Sequence, residues 1–387
     1  MAATGTLFRR AYASVPSTLP AHATIMTGLA PPTHGVRCNG KFRLSNDHTT
    51  LAEMLRSRGF ATGAILGAFP LERRFGLDQG FDLYDDDFAS SAKTAVRRQR
   101  RMDVPGFWIG HDYLDFERSA AEVTDRALSW LRERRGERWF LFTHYFDPHW
   151  PYEPESTLAE EFSDPYDAEI TYADRHLERL LDAVASMPGR TLVIFTADHG
   201  EGLGDHGERL HNRYVYNSTL QIPLVVSLPG LTRGKAVEGA VGQVDLLPTM
   251  LELLGIAIPS ALPGRSLVPV LAHGGVVEAR PLYAESLVWS LERPMGIEVR
   301  ALIDGDFKLI ETRHAVDGQP VTTRELYDVR VDQAERVDRA PFDTALAASL
   351  AERLASLRRT LEEEAMHVEP LDLDDAARAR LRALGYL

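Results

Sequence analysis

One segment constrains the fold more than any other. Residues 191–197 read TLVIFTA, an uncharged run that passes straight into Asp198-His199-Gly200-Glu201. A near-continuous apolar run of this kind belongs to a strand inside a sheet covered on both faces. Side chains that do chemistry collect just past the carboxyl ends of such strands. Here glycines at 200, 202, 204 and 207 let the chain turn tightly, and Asp205-His206-Gly207 and His211 follow. Oxygen and nitrogen donors at this density suit calcium, zinc or manganese better than a soft metal. Asp198 and His199 are the expected ligands. The plainer alternative is a polar, glycine-rich surface loop with incidental histidines.

The surrounding pattern fits this placement. Thr50 can cap a helix whose apolar face is Leu51, Met54 and Leu55, with Gly59 at its end. Ala61 to Phe69 reads as a strand, Val123 to Arg134 as an amphipathic helix, and Trp139 to Phe146 as a buried strand. Glu169 to Met187 places Ile170, Ala173, Leu177, Leu180, Leu181 and Val184 on one helical face. Ile222 to Leu228 is another strand, and Leu246 to Leu254 a helix stopped by Gly255. Helices alternating with buried strands predict a doubly wound α/β domain with a mixed or parallel sheet. Beyond about residue 262 the pattern changes to short strands at 281–285, 299–304 and 307–311, then helices at 345–364 and 374–387. This divides the chain into a catalytic α/β domain, residues 1–270, and a small antiparallel α+β subdomain, residues 271–387. Residues 84–125 read as an insertion, acidic at Asp85-Asp86-Asp87 and basic at Arg97, Arg98, Arg100 and Arg101, most simply a solvated helix face.

Composition excludes several classes. The formal charge is −13, which argues against a general nucleic-acid binder. It does not argue against a small anion, because local cations decide that. No apolar run reaches the ~18–20 residues of a membrane span. The single cysteine, Cys38, excludes an internal disulfide framework and a thiolate zinc site. No signal peptide is visible after Met1.

Two more segments carry chemistry. In WFLFTHYFDPHWPYEP, prolines on both sides of His149-Trp150 fix where the imidazole points, which suits an anion contact or leaving-group protonation. The alternative is an aromatic-packed turn. In PSTLPAHATIMTGLAPPTHG, residues 21–28 read as a short helix preceded by Thr18. A hydroxyl at a helix N-terminus sits where an anion is favoured and where a nucleophile toward sulfate or phosphate belongs. On position alone, an N-cap role for Ser17 or Thr18 is simpler. Cys38, His34, Lys308 and Asp245 receive structural readings: a small buried side chain, a turn residue, a residue on a short subdomain strand and a helix cap.

Together these segments resemble the sulfatase family of the alkaline phosphatase superfamily. The likeness covers Thr18-Leu19-Pro20-Ala21-His22 leading to Met26-Thr27-Gly28, the HYFDPHWPY stretch, the TADHGEGLGDHGE block and Gln221-Ile222-Pro223-Leu224. It continues through Val244-Asp245-Leu246-Leu247-Pro248-Thr249, Gly264-Arg265-Ser266-Leu267, Asp306-Phe307-Lys308-Leu309-Ile310, Leu326-Tyr327-Asp328 and the tail LRALGYL. The resemblance implies an alkaline-phosphatase-like fold and a metal-dependent hydrolase of sulfate or phosphate esters on small molecules or glycans. It implies Thr18 as nucleophile, Asp198 and His199 on a divalent metal (calcium, zinc or manganese), His22 beside the nucleophile or an anion oxygen, and His149 and His211 on the anion or leaving group.

Departures from the family pattern shift the expectation. Thr18 stands where a formylglycine precursor would be and cannot become formylglycine; it is similar to the threonine of the superfamily's phosphodiesterases and phosphoethanolamine transferases. His22 replaces the signature arginine. The Gly-Lys-Trp-His stretch reads Gly67-Ala68-Phe69-Pro70, and the later lysine is replaced by His211 or Asn212. The family's opening strand, which ends in a metal-binding Asp, has no counterpart in this sequence. That implies a truncated chain with weak metal binding and poor solubility, any export signal lying upstream. An inactive family member is therefore the third reading, after the ester hydrolase and the phosphodiesterase or transferase.

Overall fold

The computed structural model describes residues 1, 3–88, 117–274, 276–291 and 295–384. The basic cluster Arg97–Arg101, much of the expected insertion and the tail at Gly385 lie outside the described residues. In chain order the strands are β1 (Thr6–Tyr12), β2 (Phe42–Arg43), β3 (Ala61–Ile65), β4 (Leu83–Asp85), β5 (Trp139–Thr143), β6 (Val193–Thr196) and β7 (Gln221–Ser227). Then come β8 (Lys235–Gly242), β9 (Leu282–Ser286), β10 (Glu298–Asp304), β11 (Phe307–Val316), β12 (Gln319–Asp328) and β13 (Glu369–Pro370). The chain divides into two compact units, Met1–His48 with Leu192–Leu371, and Thr49–Thr191 with Asp372–Leu387. No helix among the described residues is long and apolar enough to cross a membrane.

The first unit is built on a mixed sheet in the order β6-β7-β1-β8. β1 runs antiparallel to β7 and parallel to β8. Sequence pattern does not announce β1, because Arg9 and Arg10 interrupt its apolar residues. The structure disposes of both charges laterally: Arg9 pairs with Glu238 at 3.0 Å and Arg10 with Asp306 at 2.9 Å. Phe8 and Tyr12 then enter a core with Val226, Val241 and Ile303. β6 corrects the expectation for TLVIFTA. It pairs only with β7 among the described residues, antiparallel, and Phe195 is 37% exposed. An apolar run reports strand propensity; whether both faces are covered depends on the position the strand takes in the sheet.

A second sheet of this unit has the order β12-β11-β10-β9, antiparallel throughout. β12 is an element the sequence pattern did not reveal. It forms a ten-pair hairpin with β11 around Asp317-Gly318, both at positive φ (51° and 76°), the conformation of a two-residue primed turn. The helix Thr344–Glu363 covers this sheet with Ala347, Leu350, Ala351, Leu354 and Leu361, packed on Leu302, Leu309 and Leu326. That is the spacing of one helical face.

The second unit has a parallel sheet in the order β4-β3-β5. The helices Leu51–Arg56 and Ala120–Arg132 both begin with capping boxes, Thr50 with Glu53 and Ser119 with Glu122. Ile65, Val123, Ala127, Trp130 and Leu180 form its core. β5 is only half buried along its length, against the expectation of a buried strand. In the helix Pro165–Ala185, Ile170 is 42% exposed rather than on the inner face. Glu169 turns inward instead, because its carboxylate accepts the backbone N–H groups of Glu153 (2.7 Å) and His149 (3.3 Å).

The residues given structural readings resolve as follows. Cys38 is buried, as expected. His34 is no open-turn residue: it is buried at the end of the helix Pro31–His34, between Thr24 Oγ1 and the Val36 N–H, each at 3.1 Å. Asp245 precedes the helix Leu246–Leu253 but makes no side-chain cap to it. Its carboxylate instead accepts from Gly242 N (2.9 Å) and Arg265 N (2.7 Å) and pairs with Arg280. Lys308 lies on β11, fully buried, in an ion pair with Glu335.

Candidate active site

Five of the residues singled out in the sequence belong to the first unit, and a chain of short contacts joins them. β1 ends at Tyr12 and helix α1 (Thr18–Thr27) begins six residues later, with Thr18 as its first residue. Ser17 occupies the N-cap position but makes no side-chain cap. Asn39 does that work, its Oδ1 accepting Leu19 N–H at 2.8 Å. The cap at this end of α1 thus comes from Asn39 and not from Ser17. The Thr18 Oγ1 lies 3.4 Å from His199 Nε2.

The tautomer of His199 follows from its other nitrogen. Nδ1 is 2.8 Å from Gly200 O, an acceptor only, so Nδ1–H donates and Nε2 carries the lone pair. Burial lowers the His199 pKa, and neighbouring His211 adds to that, against the pull of Asp198. The ring is thus neutral near pH 7, and its one Nε2 lone pair can accept from Thr18 or, in its place, take a cation. Asp198 Oδ2 is 3.4 Å from the same Nε2 and 3.6 Å from His22 Nδ1. His22 Nδ1 also lies 2.8 Å from the carbonyl of Thr18, so the imidazole holds the main chain of the nucleophile candidate rather than its hydroxyl.

His211 stacks near His199, ring centroids 4.3 Å apart, and its Nδ1 is 3.2 Å from Glu201 Oε1. His149 lies in the second unit, stacked on Phe146 at 4.0 Å with Nδ1 2.6 Å from Trp150 O. The aromatic packing anticipated for its loop is present, and Asp147 anchors that loop by accepting Ala120 N–H at 2.7 Å.

Three supporting residues were not legible in the sequence. Gln243, at the end of β8, donates to Asp198 O (2.6 Å) and accepts from Ser14 N (3.2 Å), tying together the segments that follow β1 and β6. Glu201 orients His211. Glu208 holds the loop between Asp205 and Tyr214, accepting Arg213 N–H at 2.6 Å and Tyr214 N–H at 3.0 Å. Glu201 and Glu208 each had one signal, their places in the TADHGEGLGDHGE block; Gln243 had none.

Glu208 gives a pH prediction. Burial pushes its carboxyl from 4.5 up to about 7, the two backbone N–H groups drawing it partly back. The folded state therefore holds a proton that the unfolded chain has released between these values, and stability falls as pH rises through the window. The full loss is at most ~3.5 kcal/mol. Glu208→Gln is expected to flatten this fall, read by urea unfolding at about pH 5 and about pH 8. An unchanged slope would refute it.

The donor set fits a divalent cation. Asp198 Oδ2 and the lone pair on His199 Nε2 converge, and all groups are oxygen or nitrogen donors.

Comparison with known proteins identifies the family. Residues 1–256 match the Sulfatase family, and residues 204–360 match the C-terminal region of N-sulphoglucosamine sulphohydrolase. Arylsulfatase K of Xenopus laevis is 24% identical over 406 residues, covering 86% of this chain and 72% of its own. The multifunctional alkaline phosphatase superfamily protein PehA of Trinickia caryophylli is 31% identical over 211 residues, covering 39% of this chain and 41% of its own. Among solved structures, Ps i-CgsB in complex with k-i-k-neocarrahexaose superposes with a TM-score of 0.73 at 18% identity, covering 99% of this chain and 90% of that one. The fold is thus alkaline-phosphatase-like, and the chain belongs to the sulfatase family of the alkaline phosphatase superfamily, a hydrolase family of sulfate and related esters.

Proposed function

We propose that this chain hydrolyses sulfate or phosphate esters of small molecules or glycans, with Thr18 as nucleophile. The observation that carries the proposal is the Thr18 hydroxyl at the start of α1, 3.4 Å from Nε2 of a neutral His199. The helix dipole at that position favours developing negative charge on Oγ1. His199 and Asp198 would hold a divalent cation, which supplies Lewis-acid polarisation of the ester and eases ionisation of a hydroxyl. His22 fixes the Thr18 main chain, so that Oγ1 meets sulfur or phosphorus in line. Held by Glu201, His211 contacts the anion or gives a proton to the leaving oxygen.

A phosphodiester substrate is the second reading within this chemistry. It is favoured by a threonine at the nucleophile position and by histidines in place of fixed lysines. The relatives support ester hydrolysis in general terms. They include a structure with a bound neocarrahexaose and a multifunctional alkaline phosphatase superfamily protein.

The test is a panel of aryl sulfate, aryl phosphate and aryl phosphodiester, assayed with calcium, zinc or manganese and after chelation. Metal-dependent turnover of at least one ester is expected, with Asp198→Ala losing both turnover and stoichiometric metal. No turnover of any ester under any metal would sink the proposal. His149 is tested separately: His149→Ala slows turnover if the imidazole serves the leaving group and leaves it unchanged if it only packs on Phe146.

A further inference from the structure

The loop that carries His211 also carries an arginine to which the proposed chemistry assigns nothing. The backbone of Arg213 is fixed by Glu208, which accepts its N–H at 2.6 Å. From there the guanidinium lies between two rings, 4.5 Å from the centroid of Tyr214 and 4.4 Å from that of Trp289. Trp289 belongs to the short helix Val288–Leu291, just past β9. The end of β9, two residues before that helix, is tied to the same loop, because the Ser286 hydroxyl donates to the Asn212 carbonyl. All three side chains are half buried.

Stacking of this kind occupies the faces of a guanidinium and leaves its in-plane N–H donors unused. The other described arginines of this unit that are not exposed have carboxylate partners, among them Arg10 with Asp306, Arg37 with Glu285, Arg280 with Asp245 and Arg300 with Glu298. Among the described residues no carboxylate pairs with Arg213. The side chain is therefore planar, charged and already immobilised, without an internal acceptor, two residues from His211. Most of the ordering cost of a bidentate contact has been met before a ligand arrives. The chain's formal charge of −13 adds weight. A polyanion approaching this protein is repelled in general and needs a local cation to be held.

We infer that Arg213 determines specificity by binding a second anionic group of the substrate, a carboxylate or sulfo group apart from the reacting ester. The inference rests on the ester-hydrolase reading for the identity of the first group. It concerns substrate selection and not the chemical step.

The matched probes are D-glucosamine 6-sulfate and D-glucosamine N,6-disulfate, which differ by one sulfo group, titrated calorimetrically into the full chain. The wild type is expected to bind the disulfate about 10–100-fold more tightly, the range of a charge-assisted bidentate contact. Arg213→Ala should bring the two within about threefold while leaving Thr18-dependent turnover of a simple aryl ester within about twofold. Arg213→Lys, which keeps charge but not the fork, should recover only part of the preference. Trp289→Leu should weaken it in the same direction with the charge intact. The inference is overturned if the wild type shows no preference for the second anion, or if Arg213→Ala retains it. Failure of the hydrolase reading shows differently, as absence of ester turnover in the wild type, while the binding comparison still decides the role of Arg213.

Discussion

Replacing Thr18 by alanine is expected to reduce kcat for every ester the wild type cleaves by roughly 10³–10⁶-fold, the range seen when a nucleophile is removed from an otherwise intact site. The fold should survive. Thr18 is the first residue of α1, where alanine is sterically acceptable, and Asn39 continues to satisfy the Leu19 N–H. The 3.4 Å contact to His199 that alanine removes is worth about 1 kcal/mol or less. A thermal melt within a few degrees of wild type, alongside abolished turnover, is the expected pair of results. Thr18→Ser, which restores a hydroxyl, should recover most of the rate. Retained turnover in Thr18→Ala, on all esters, would show that another group attacks.

Removing Glu335 should have the largest effect on stability. Lys308 and Glu335 are both fully buried, with Nζ and Oε1 2.7 Å apart. Asn217 completes the arrangement: its Oδ1 accepts from Lys308 at 3.1 Å, and its N–H donates to Glu335 at 2.5 Å. Burial pushes the Lys308 pKa down, and Glu335 is the group that holds it up. Glu335→Ala leaves an ammonium in a dry site and an Asn217 N–H without its acceptor. The expected cost is about 3–5 kcal/mol, against a total stability of roughly 5–15 kcal/mol for a folded domain. Glu335→Ala combined with Lys308→Met should be less damaging than Glu335→Ala alone, because no charge is stranded. Urea unfolding of the two single variants and the double variant measures this. A loss below about 1 kcal/mol in Glu335→Ala would mean that water reaches the pair.

The chemistry-bearing block was legible because its physics is local. A strand ending in Asp-His with glycines behind it announces a polar sheet edge, and Thr18 ahead of a short helix announces a favourable place for an anion. The neighbours of these residues were not legible. Gln243 meets Asp198 across 45 residues of sequence, and Asn39 meets Leu19 across 20. No periodicity reports on contacts at such separations. β1 was missed because its arginines find partners only in the folded sheet. The place of β6 was misread because propensity marks a strand without saying which strands flank it. Ile170 was assigned to an inner face that Glu169 takes once backbone donors are available to its carboxylate.

The pairing of β1 has a consequence for how the protein is made. Tyr12 faces Gln221 on one side and Gly242 on the other, so the partners of this strand are synthesised more than 200 residues after it. At translation rates of ~5–20 residues per second, the strand waits about 10–40 s with both edges unsatisfied. The intervening second unit, Thr49–Thr191, is complete in sequence well before that wait ends, apart from its last segment at Asp372–Leu387. The nascent chain therefore carries β1, and Thr18 just beyond it, as open backbone until β7 and β8 are made. Aggregation during synthesis is expected to nucleate at β1, and a chaperone that engages the emerging chain has a consequential substrate there.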